Sequence, residues 1–161
     1  MDAKTPHAIV AAYILAAASS HIVRRSSRRR HTLLKVEDSM AGKIIRPDDN
    51  EEFYTDERCY ILESSNSSFD RDVSIARARV EPGTTTCWHR LKRSTERYRI
   101  VSGKGSVEVG DEPAQVVVSG DVVIIPPMCK QRIENIGKDD LVFLVICTPR
   151  FHVEDYEDLE Q

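Results

Sequence analysis

The chain is short of several things, and each shortage closes a class of explanation. It has four cysteines (Cys59, Cys87, Cys129 and Cys147) and no CxxC pair, which removes zinc knuckles and thioredoxin-like redox motifs. The four are scattered as in a protein of reduced thiols, so no disulfide framework is expected and a cytoplasmic location is. Positive charge is not in surplus. A formal net charge of −3 gives no general basic surface for phosphate contacts, so no nucleic-acid partner is expected. No apolar run approaches the roughly 20 residues of a membrane-spanning helix. The longest uninterrupted candidate, Ala8–Ala18, has 11 residues. After Met40 nothing reads as a long amphipathic helix.

The 161 residues that are present suffice for one domain with a sizeable core. Residues 1–39 differ in composition from the rest of the chain. The apolar run Ala8–Ala18 leads through Ser19-Ser20 into a basic cluster of Arg24, Arg25, Arg28, Arg29 and Arg30. That charge lies on the wrong side of the run for a cleaved secretory signal. Three readings stand: an atypical targeting segment, an amphipathic membrane-touching arm, or an extension ahead of a start at Met40. The change of composition at Met40 favours the last, and the apolar run keeps a secreted or membrane-associated form open. Residues 40–150 are expected to form the folded domain, and 151–161 a solvated acidic tail bearing Glu154, Asp155, Glu157, Asp158 and Glu160.

From Ala41 the pattern turns to short runs rich in Val, Ile and Tyr, spaced by turn residues, which is the mark of an all-β sandwich or barrel. Strands are expected at Tyr60–Ser64, Val73–Val80, Thr85–Leu91, Glu96–Ser102, Gly105–Val109, Gln115–Val118, Asp121–Ile125, Gln131–Asn135 and Leu141–Thr148. Pro82-Gly83, Gly103-Lys104-Gly105, Gly110-Asp111, Ser119-Gly120-Asp121, Pro126-Pro127 and Gly137-Lys138 punctuate them. With period-two alternation, Cys87, His89 and Leu91 share one strand face, and Glu96, Tyr98 and Ile100 share another.

Two stretches resemble the paired motifs of the cupin family. In the first, Gly83 is followed after five residues by His89, then Leu91, Glu96 and Gly103 at the family's spacings. In the second, Gly120, Pro126 and Asn135 match, while Met128 replaces a glycine and Gln131 a histidine. The resemblance covers roughly residues 70–150. It implies a cupin-type double-stranded β-helix, a jelly-roll barrel of the RmlC-like kind, whose inward faces line a small-molecule pocket.

By that resemblance the pocket is expected around His89, Glu96, Tyr98, Gln131 and Cys87. A full family site holds a divalent transition metal on three histidines and a glutamate. Only His89 and Glu96 carry over, Leu91 cannot coordinate, and Gln131 offers a weak amide oxygen, so His89, Glu96 and Gln131 would be the reduced metal set. The ligand expected is a polar or anionic metabolite, with sugar-phosphate isomerase-like chemistry the first suggestion of the family. A metal-dependent dioxygenase or lyase and a non-catalytic sensing module are the alternatives. Arg77 and Arg79 alternate with Ala76, Ala78 and Val80 and would give an anion-binding wall if they faced inward. Arg97 and Arg99 are expected on the exterior. Trp88, opposite to His89 in parity, is expected in a sheet or dimer contact. The nearly continuous apolar run Leu141–Thr148 asks for cover on both faces, which, with the family's habit, raises the expectation of a homodimer. Pro149–His152 is placed to fold over the barrel mouth.

Overall fold

A computed structural model describes residues 42–160. The extension expected over residues 1–39 and its apolar run lie outside the described residues. Eleven strands form two facing antiparallel sheets. The strands are β1 (Phe53–Tyr54), β2 (Tyr60–Ser65), β3 (Ser74–Val80), β4 (His89–Leu91), β5 (Thr95–Ser102) and β6 (Lys104–Val109). They continue with β7 (Gln115–Val118), β8 (Val122–Ile125), β9 (Gln131–Asn135), β10 (Leu141–Thr148) and β11 (Tyr156–Asp158). One sheet runs β1-β2-β3-β10-β5-β8 and the other β11-β4-β9-β6-β7. Strands far apart in sequence are neighbours in both, as a jelly roll requires. Among the described residues no helix is long and apolar enough to cross a membrane.

Eight of the nine expected strands stand within a residue or so of the expected bounds. The exception is Thr85–Leu91, of which only His89–Leu91 is a strand. Upstream, the Thr86 amide donates to Ile133 while the Cys87 amide donates to the Glu57 carbonyl, so consecutive donors leave in different directions. The Thr86 hydroxyl accepts from the Ile133 amide and stands in for the missing ladder bond.

The barrel is filled at one end and hollow at the other. Val80, Ile100, Val107, Val117, Ile125, Ile133 and Leu141 close the filled end, all buried in one cluster. Gly105 sits among them, where a Cβ would come 2.9 Å from a Leu141 methyl. Toward the hollow end β3 offers Ala76 and Ala78, and these short side chains leave space above β5 and β10. Asn135 ties the filled end to its loops. Fully buried, it donates to the carbonyls of Val80 (2.8 Å) and Asp139 (2.9 Å) and accepts from the Gly137 amide (2.9 Å).

Arg77 and Arg79 turn outward, so the inward anion-binding wall is not formed. Both guanidinium groups pair with Glu52 (3.2 and 2.8 Å), and Arg79 also meets Asp140 at 3.0 Å. The phase is set by size, because Ala76 and Ala78 take the crowded interior and the long charged chains take the face where heads reach water. The same chains explain the cover of β10. Leu144 lies between Arg77 and Arg99 in register, Ile146 beside Arg97 and Val142 beside Arg79, so arginine stems shield its outer face. Exposed apolar side chains lie elsewhere, among them Val116 and Val118 of β7 and Val122 and Ile124 of β8. Trp88 also faces outward, with the Arg132 guanidinium 4.6 Å and the Lys130 ammonium 5.3 Å from its ring centre.

The acidic segment after Phe151 is not a solvated tail. Tyr156–Asp158 pair with β4 in the register Tyr156↔Leu91, Glu157↔Arg90 and Asp158↔His89. Its acids answer a basic rim: Asp155 meets Arg93 at 2.6 Å, Glu157 meets Arg90 at 2.6 Å and Glu160 meets Arg58 at 2.7 Å. Asp155 is itself buried, and its carbonyl accepts from the Lys92 amide.

Candidate functional site

The hollow end holds a cavity of about 60 Å³, counted over the positions a water centre can occupy. Each wall comes from a strand with one inward phase. β4 supplies His89 and Leu91, β5 supplies Glu96 and Tyr98, and β10 supplies Phe143, Val145 and Cys147. Phe151, on the segment expected over the mouth, lines the cavity too.

His89 is 4% exposed. Its Nδ1 lies 2.9 Å from the Cys87 carbonyl, an oxygen that can only accept, so Nδ1 carries a proton and Nε2 holds the lone pair in the neutral ring. The Glu57 carboxylate stands 3.9 Å from Nδ1. The Tyr156 ring of β11 stacks on the imidazole at 5.3 Å between centres and 23° between planes. Two strands and a loop thus fix the ring's plane, tautomer and neighbours.

Glu96, 6% exposed, accepts from Gln131 Nε2 and lies 3.9 Å from the Cys147 thiol. Gln131 is fully buried behind Glu96, and its Oε1 has no hydrogen-bond partner among the described residues. Tyr98 is 4% exposed and packs its ring on Phe143 at 4.6 Å. Of the expected pocket residues, then, His89, Glu96 and Tyr98 line one cavity and Gln131 backs it. Cys87 does not line it. Its thiol donates to the Asp56 carbonyl at 3.4 Å, because the chain leaves strand geometry there and the side chain turns toward Arg58.

Sequence reasoning missed Glu57, Glu63, Cys59 and Tyr156, all in the lining. Glu63 follows Ile61 by two residues on β2, so strand parity could have found it. Glu57 has no such signal, since it sits in a loop beside Arg58, which takes φ +68°. Tyr156 was hidden by its acidic neighbours.

Burial disfavours the charged imidazolium, but Glu57, Glu96 and the Cys87 carbonyl outweigh it and hold His89 above its usual value. Burial likewise raises Glu96, against the opposing pull of His89 and the Gln131 amide. Both groups bind protons more readily folded than unfolded. Each therefore stabilises the fold at low pH, and the His89 share, complete below 6.5, is lost as pH climbs through its raised value. Thermal midpoints measured upward from pH 6.5 are expected to fall in the wild type and to fall less steeply in His89→Gln. Parallel slopes would show that His89 is not the titrating group.

The donor set does not fit the family's metal. Leu91 stands in a ligand position and Gln131 turns its amide nitrogen toward Glu96, which leaves only His89 Nε2 and Glu96 as strong donors from the family's set. Among the described residues no group of three or more His, Cys, Asp or Glu side chains is placed to hold a metal ion.

Comparison with known proteins agrees with this architecture. The model of the cupin domain matches residues 76–147. An uncharacterised protein of Methanocaldococcus jannaschii is 38% identical over 87 residues, which cover 54% of this chain and 69% of that protein. Among solved structures, the nucleoside dehydratase Pac13 of Streptomyces superposes with a TM-score of 0.60 at 18% identity, over 73% of this chain and 92% of its own. KdgF from Halomonas sp. gives 0.58 at 17% identity, over 69% and 96%. The oxalate decarboxylase of Lactobacillus farciminis, in a formate complex, gives 0.58 at 22% identity over 71% of this chain and 33% of that one. With the double-stranded fold, the two motif frameworks and this family match in agreement, the chain belongs to the cupin family.

Proposed function

We propose that this cupin binds a small polar metabolite in the hollow end and moves a proton on it through His89, without a resident metal. The observation that carries the reading is the imidazole itself. Its Nδ1 is clamped to the Cys87 carbonyl, its Nε2 makes no hydrogen bond to the described residues, and Glu57 and Glu96 favour its charged form. An imidazole whose charged form is supported by two carboxylates can take up a proton and return it, as a general acid–base group must. Tyr156 stacked on the ring keeps the proton-bearing nitrogen from swinging away.

The neighbouring names are compatible with lyase-type chemistry on this frame, since one is a nucleoside dehydratase and another a decarboxylase. The frame alone does not choose a reaction. A sugar phosphate or other anion finds no arginine or lysine in the lining, which weighs against the isomerase-like expectation. The metal-dependent alternative lacks ligands at Leu91 and Gln131. The sensing alternative shares the cavity and differs in that no bond to hydrogen is broken.

Solvent exchange separates the two. Small hydroxy-, keto- and amino-compounds incubated with the protein in D2O are expected to include one that gains deuterium at carbon, read by mass spectrometry. His89→Gln should slow that exchange about 10²–10⁴-fold. Exchange indifferent to His89→Gln would refute the catalytic role. Binding with no exchange in any compound would replace it with the sensing role.

A further inference from the structure

The charge lining the cavity is unbalanced in one direction. Glu57, Glu63 and Glu96 contribute carboxyl groups, and among the described residues His89 is the one lining group of opposite sign. Among the described residues no lysine or arginine belongs to the lining. Arginines around it are engaged elsewhere: Arg58 pairs with Glu160 at 2.7 Å, Arg150 donates to Asn66 Oδ1 at 2.8 Å and Arg97 donates to Thr148 Oγ1 at 2.7 Å. Glu63 accepts from the neutral Asn66 amide at 3.1 Å and has no ion-pair partner among the described residues. Glu57 faces His89 across 3.9 Å. Even with His89 charged and one carboxyl protonated, at least one negative charge is left without a counterion in a largely enclosed space. An ion of opposite sign lowers that cost sharply where water is scarce.

Two further observations say what kind of cation fits. The carboxylates are interleaved with aromatic rings, Tyr98 and Phe143 on one side and Tyr156 on another. Ring faces attract organic cations, whose alkyl surface also replaces water at an apolar wall. The Tyr156 hydroxyl belongs to a lining residue and is buried with no hydrogen-bond partner among the described residues. A buried phenol oxygen needs a partner, and an N–H donated by a bound molecule supplies one.

We propose that the hollow end takes a small organic ammonium ion. The ammonium group sits between the Glu57 and Glu63 carboxylates and the Tyr156 oxygen, and its alkyl part lies against the aromatic rings. The inference rests on the reading of this cavity as the ligand site and adds the ligand's charge.

The test uses the full chain and three probes of one size: n-propylammonium, 1-propanol and propionate, titrated at constant ionic strength and pH 7 and followed by NMR. Propylammonium is expected to saturate and to bind at least tenfold more tightly than the alcohol, with propionate weakest. Glu63→Gln should weaken propylammonium at least tenfold while the unfolding midpoint of the free protein stays nearly unchanged, because Glu63 holds only Asn66. Equal or tighter binding of propanol or propionate overturns the inference, as does a Glu63→Gln protein that binds propylammonium as before. If no probe binds while His89-dependent deuterium exchange persists, the ammonium assignment falls and the proton-transfer reading survives.

Discussion

Asn135→Ala is expected to cost about 3–5 kcal/mol, a large share of the 5–15 kcal/mol that typically separates folded from unfolded. The amide donates to the Val80 and Asp139 carbonyls and accepts from the Gly137 amide, all from a fully buried position. Alanine leaves three backbone groups stranded, and a buried group without its partner costs roughly 1–3 kcal/mol each. Water entering the gap recovers part of that, which brings the sum below the upper limit. Asn135→Asp is the sharper variant. It keeps the shape and the acceptor but presents an oxygen, not an N–H pair, to the two carbonyls, so it should be no better than alanine at neutral pH. Urea unfolding with an unchanged m-value reads both. A loss below about 1 kcal/mol would mean that the three bonds contribute little to the fold.

The second large effect is expected at Gly103, where alanine should cost about 2–4 kcal/mol. The residue takes φ +86°, a left-handed conformation in which a side chain is strained. An added Cβ would also fall 2.7 Å from the Asp140 carbonyl oxygen and 2.8 Å from the Leu141 Cα, both backbone atoms with little freedom to retreat. Gly83 is the internal control. Its φ is +73°, with nothing within 4 Å of a Cβ, so Gly83→Ala carries the conformational cost alone, about 1–2 kcal/mol. The difference between the two variants measures the clash. Equal losses would mean the turn opens freely around Gly103.

Both predictions concern residues that match the family's motifs, and neither residue touches the cavity. The framework glycines and Asn135 shape the barrel, whereas the proposed chemistry is assigned to His89 in the cavity. Leu91 and Gln131 replace ligands without disturbing a single turn, because a buried leucine and a buried amide satisfy the same two strand faces.

What was legible in the sequence divides along the same physical line. Strands bounded by Gly, Pro and Asp turns were readable because those residues act locally, and strand parity sent His89, Leu91, Glu96 and Tyr98 to one interior. The phase of β3 was not readable. Small and long side chains alternate at Ala76–Arg79, and the side each takes is decided by Glu52 and by crowding from β10. β11 was missed because Glu154–Asp158 reads as solvated charge. Its order comes from Arg58, Arg90 and Arg93, which lie more than sixty positions away in the chain. Glu57 was out of reach for a related reason, since its place depends on a loop closing beneath β4. The carboxylate surplus of the cavity was hidden by these omissions, and an anionic ligand looked reasonable only while Glu57 and Glu63 were absent from the picture.

Trp88 is the chain's single tryptophan, one residue before His89. Its amide donates to a Glu160 carboxylate oxygen at 2.8 Å, and its carbonyl accepts from the Leu159 amide at 2.9 Å. The protein thus carries a built-in optical gauge at the seam between β4 and the chain's last strand. Indole emission reports whether that seam is fastened, with no dye attached and no competing fluorophore of its kind to subtract.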